Sequence, residues 1–69
     1  MFKKLLELRQ QKAEKVAEMR AMLDKAEQEN RSLNDAENVD FEKLKDLVKQ
    51  LSDEIARYET VADEERNIA

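Results

Sequence analysis

The groups in this chain able to do chemistry are carboxylates and cationic heads. There are 17 Asp and Glu and 13 Lys and Arg, with neither His nor Cys. That removes thiol nucleophiles, imidazole bases, disulfides and zinc sites. Two acidic clusters remain: Asp35 with Glu37 and Asp40, and the run Asp63-Glu64-Glu65. Clustered oxygens suit hard cations, but a calcium loop needs alternate ligands around a turn-forming Gly, and the chain has no Gly. A di-iron carboxylate centre needs Glu-x-x-His pairs, which require His. Paired carboxylates do acid–base work only in a cleft. The acidic clusters therefore read as solvated surface. The chain is expected to be no enzyme and to hold no metal and no cofactor.

The basic residues Lys3, Lys4, Arg9, Lys12, Lys15 and Arg20 raise the question of nucleic acid. On a helical wheel they cover a wide arc with acids between them. No aromatics interleave for base stacking, and the net charge is −4. No nucleic-acid partner is expected. Phe2, Leu5 and Leu6 beside Lys3 and Lys4 resemble a membrane-touching end, but a helix end packed on its partner accounts for them better. The longest apolar run is three residues, Ala21-Met22-Leu23, too short for a membrane span. The N-terminus lacks the apolar core and small-residue cleavage site of a signal peptide, so a cytoplasmic location is expected.

What positions these groups is a set of long helices. Charged residues make up 43% of the chain, which alone would suit disorder, yet the apolar residues recur at helical spacing. With no Gly and no Pro, the polar stretch Glu29-Asn30-Arg31-Ser32-Leu33-Asn34 is the one place to reverse. Asn30 tolerates the left-handed conformation needed to close a helix. Asn34 is the expected N-cap of the next, with Glu37 in capping-box position and Asp35 and Glu37 near the positive end of the helix dipole. The fold class is therefore all-α: an antiparallel two-helix hairpin, helix 1 over about 3–29 and helix 2 over about 35–66, in a single segment spanning 1–69.

Helix 1 shows apolar positions at Leu5, Leu8, Val16, Met19, Leu23 and Ala26, with steps of three and four from Val16 onward and a break at Arg9 and Lys12. Helix 2 is cleaner. Phe41, Leu44, Val48, Leu51, Ile55, Tyr58 and Ala62 alternate steps of three and four, while Leu47 and Val61 widen the stripe. Reversal at the turn sets Leu23 opposite Phe41, Val16 opposite Val48, Leu8 opposite Ile55 and Leu5 opposite Tyr58. Arg9 and Lys12 then fall opposite 51–55, where their stems cover apolar surface and their heads reach Glu54 or Asp53, helping to fix the register.

Charge is uneven. Residues 1–33 carry eight bases and six acids, and residues 34–69 five bases and eleven acids. Opposite signs favour attraction within the hairpin or between copies. Two helices cannot enclose so wide a stripe, so the chain is expected to associate with itself as a helical bundle, or to dock as an adaptor on a foreign helix.

The landmarks also resemble a known family. Leu8-Arg9-Gln10-Gln11-Lys12-Ala13 leads into Val16-Ala17-Glu18-Met19-Arg20-Ala21-Met22-Leu23-Asp24-Lys25-Ala26-Glu27. The turn Asn30-Arg31-Ser32-Leu33-Asn34 follows, then Phe41-Glu42-Lys43-Leu44 and Leu51-Ser52-Asp53-Glu54-Ile55-Ala56-Arg57. This order, over about residues 3–60, resembles the N-terminal delta domain of tailed-bacteriophage major capsid proteins of the Hong Kong type. Leu33-Asn34 stands where Leu-Thr is common in that family, and Asn38 where Glu is common. The resemblance implies a built-in scaffolding segment, the N-terminal part of a longer capsid protein, that helps copies form capsomers and procapsids. Its implied partners are other copies of the capsid protein and the phage maturation protease. Its implied place is the host cytoplasm during assembly and the procapsid interior.

Overall fold

The computed structural model describes residues 2–68 and consists of two helices, α1 (Lys3–Gln28) and α2 (Asp35–Ile68), folded back as a hairpin. α1 begins without a side-chain cap: Phe2 is the N-cap residue, and its carbonyl accepts from the Leu5 N–H at 3.2 Å. Good helix formers carry the helix from there, and Lys25 sits in the last turn, where the dipole favours a cation. α2 has 34 residues against 26 for α1, so it overhangs the start of α1 and sets the 54 Å length of the rod.

The most deeply buried cluster lies at the open end of the hairpin. Leu5, Leu8 and Ile55 are buried together, with Phe2, Leu51 and Tyr58 packed against them. The Phe2 and Tyr58 rings meet edge to face, with centroids 5.1 Å apart. This agrees with the expected pairing of Leu8 with Ile55 and Leu5 with Tyr58.

Farther along α1 the expected stripe needs correction. The less exposed positions after Leu5 and Leu8 are Lys12, Lys15, Met19, Met22 and Ala26, an unbroken alternation of four and three. Val16 and Leu23, expected to face Val48 and Phe41, are 45% and 49% exposed. The reason is periodicity: the heptad phase set by Leu5 and Leu8 reaches Lys15 and Met22, and a residue one place on is turned by roughly 100°. Continued from its anchored end, the same register sets Lys12 opposite Leu51, Lys15 opposite Val48 and Met22 opposite Phe41. The inner stripe of α1 thus carries two lysines at its centre. On α2, Phe41, Leu44, Val48, Leu51 and Tyr58 are half-buried and Ile55 is buried, whereas Leu47 and Val61 are exposed on the flank.

Candidate functional site

Two features can act: the turn, which fixes the hairpin, and the faces that the two helices leave open.

The turn is built by hydrogen bonds. Asn30 has φ 55, left-handed backbone that Asn accepts more readily than most residues. Its N–H donates to the Glu27 carbonyl at 3.0 Å, and the Arg31 N–H donates to the Ala26 carbonyl at 3.0 Å. These are the two bonds of a Schellman closure, which satisfy carbonyls the helix end would otherwise leave unpaired. Ala26 is buried beneath this closure. Four residues later α2 opens with a reciprocal capping box. The Glu37 N–H donates to Asn34 Oδ1 at 2.8 Å, and the Asn34 N–H donates to Glu37 Oε1 at 3.0 Å.

Arg31 ties the two motifs together. Its Nη1 donates to Glu37 Oε1 at 2.6 Å and its Nη2 to Oε2 at 3.1 Å, a bidentate pair. Nη1 also donates to the Ser32 carbonyl at 3.0 Å, and the Glu29 carboxylate lies at 3.4 Å from Nη2. The Arg31 guanidinium, then the Asn34 N–H, hold the Glu37 carboxyl down at about 2. Glu37, and to a lesser degree Glu29, in turn push Arg31 above its ordinary value. Sequence reasoning did not single out Arg31. Its signal was available in hindsight: a basic residue three positions beyond the helix end and directly after the left-handed Asn30, six before the capping Glu.

The ion pair expected to fix the register is formed by a different carboxylate. Arg9 Nη2 lies 2.9 Å from Glu59 Oε2, not from Glu54 or Asp53. Arg9 follows the seam residue Leu8 and Glu59 follows Tyr58, so both lie on the same flank of an antiparallel pair. Glu54 precedes Ile55 and lies on the other. Lys12, expected opposite 51–55 with its stem over apolar surface, is less exposed and lies in the seam, whereas Arg9 is exposed on the flank. Lys15 reaches its own helix neighbour Glu18 at 3.5 Å.

The open faces differ between the helices. On α1, Leu6, Ala13, Val16 and Leu23 share an exposed stripe with Arg9 and Arg20. On α2, Leu47 and Val61 are exposed, two heptad turns apart, with Glu54 between them. The total accessible surface is 5638 Å², whereas a compact monomer of this mass exposes about 4,500 Å². The excess comes from a rod only two helices thick.

Among the described residues no group of three or more acidic side chains is placed to hold a metal ion, and no helix is long and apolar enough to cross a membrane. No known protein family, no curated protein and no solved structure matches this chain.

Proposed function

We propose that this hairpin is a non-catalytic assembly module, the built-in scaffolding segment of a phage major capsid protein that draws copies of that protein together into capsomers and procapsids. It acts in the host cytoplasm during assembly and then inside the procapsid, within reach of the maturation protease. The observation that carries the reading is the seam two helices leave open: heptad stripes on both helices, few fully buried residues, and apolar side chains standing half-exposed on either flank. Such a surface is covered best by more helices of the same kind. The order of landmarks around the turn, similar to delta domains, supplies the biological setting.

The test is Leu44→Asp with Leu51→Asp in the capsid protein that carries this segment. Ordered shells should be lost from electron micrographs while the protein is still made. Normal shells from the double variant would refute the role. A second reading, a stand-alone adaptor for a foreign helix, is favoured by the separate apolar flank of Leu47 and Val61 on α2. A hairpin that prefers a foreign helix to itself in mixing experiments would select it.

A further inference from the structure

The exposed stripe of α1 runs Leu6, Arg9, Ala13, Val16, Arg20, Leu23 in alternating steps of three and four, and every one of these residues is exposed. Read from either end, its order of residue types is the same: leucine, arginine, small or branched apolar, small or branched apolar, arginine, leucine. A stripe with that symmetry is complementary to itself when one helix is turned end for end. We infer that a second copy of this chain docks antiparallel on this stripe about a two-fold axis between Glu14 and Lys15. Leu6 of each copy then meets Leu23 of the other, and Val16 meets Ala13. This inference rests on the assembly reading and names the surface through which two copies first meet.

Three observations favour a second copy as the occupant. The first is the symmetry itself, because an isologous contact needs one patch complementary to itself and no other partner. The axis falls close to the middle of α1, so the contact runs about 25 Å with little overhang on either side. The second is charge. The axis brings Arg9 of one copy beside Arg20 of the other, but each already has an acid in its own chain. Arg9 lies 2.9 Å from Glu59, and Arg20 Nε lies 3.7 Å from Asp24 Oδ2. The four groups sum to zero, so the arginines approach as neutralised pairs. The third is area. The rod exposes roughly 1,100 Å² more than a compact monomer of this mass, spread over both helices, and a second copy laid along α1 covers part of that excess. α2 does not compete on these terms, since its exposed Val39, Leu47 and Val61 do not follow one another at steps of three and four and Glu54 lies between the last two.

The chain has no cysteine, so introduced thiols report the contact without background. Leu6→Cys and Leu23→Cys chains, mixed under mild oxidation, should give a covalent dimer, whereas each alone should give far less. Links of Leu6→Cys chains to one another would overturn the antiparallel arrangement. Val16→Glu, at an exposed position, should leave helicity unchanged and weaken dimerisation at least tenfold by sedimentation equilibrium, while Leu47→Glu should not. The reverse pattern would move the contact to α2 and overturn the inference alone. A wild-type chain that stays monomeric at hundreds of micromolar would overturn both the inference and the assembly reading.

Discussion

Arg31 holds both carboxylate oxygens of Glu37, at 2.6 and 3.1 Å, while the same carboxylate accepts the Asn34 N–H that starts α2. The Glu37 side chain thereby closes the cap of α2 and receives Arg31, whose backbone N–H makes one of the two bonds that close α1. The Glu37 side chain is 20% exposed, and the pair gains from geometry more than from burial. Arg31→Lys keeps the charge but cannot make the two-pronged contact. It should lower the melting temperature, and Arg31→Ala should lower it further. Equal melting temperatures for wild type and Arg31→Ala would show that the pair does not hold the turn.

The same pair sets a pH dependence. The Glu37 carboxyl titrates at about 2 in the folded chain, below its ordinary 4.5. A group whose folded value is lowered contributes stability above its unfolded value and loses it as pH falls toward the folded one. The hairpin should therefore weaken between about pH 4.5 and pH 2. In Glu37→Gln, which keeps the cap acceptor, this part of the acid sensitivity should vanish. Denaturant titrations of both chains at pH 7 and pH 2 measure it, and a carboxyl titration of Glu37 by NMR checks the value directly.

At Asn30 the backbone sits at φ 55. Gly takes that conformation without a Cβ clash, so Asn30→Gly should be neutral or stabilising. Asn30→Val should cost about 1–2 kcal/mol in chemical denaturation, because a branched side chain resists the left-handed region. Asn34→Ala, which removes the cap acceptor, should cost about 1 kcal/mol.

Leu8 is the most deeply buried side chain named in the core, at 2% exposure, whereas Val16 is exposed. Leu8→Ala should cost about 2–5 kcal/mol, enough to unfold a hairpin of this size. Val16→Ala should change the stability of the isolated hairpin by less than about 0.5 kcal/mol. Similar losses from both would contradict the phase of the α1 stripe.

Lys12 stands in the seam where a heptad calls for an apolar residue. Lys12→Leu should stabilise the hairpin by about 1 kcal/mol, measured by urea denaturation. A loss of stability would show that the lysine stem and head pack better than a leucine can.

Most of the fold is legible in the residues, because the signals are local. The helix ends follow from the single polar interruption, and the cap of α2 from Asn34 and Glu37. The stripe of α2 follows from seven positions in phase. The phase of α1 is where reading fails. Val16, Met19, Leu23 and Ala26 make a consistent stripe by themselves, and Lys12 and Lys15 look unfit for a seam. Only packing of Leu5 and Leu8 on Ile55 decides between the two phases, and that contact joins residues nearly fifty positions apart. Arg9 pairs with Glu59 for the same reason: choosing among carboxylates requires knowing which flank each occupies.

The hairpin is fastened at its two ends by different forces. At the open end Phe2, Leu5, Leu8, Ile55 and Tyr58 make an apolar clasp, and at the turn Asn30, Arg31, Asn34 and Glu37 make a polar one. Lys12 and Lys15 lie between them. Cooling weakens apolar burial and acid removes the Glu37 charge, so cold and acid attack opposite ends of the same rod. Under neutral conditions the weakest stretch of the paired seam is the one around Lys12 and Lys15, so within the paired helix interiors, away from the frayed ends, amide exchange should be fastest there.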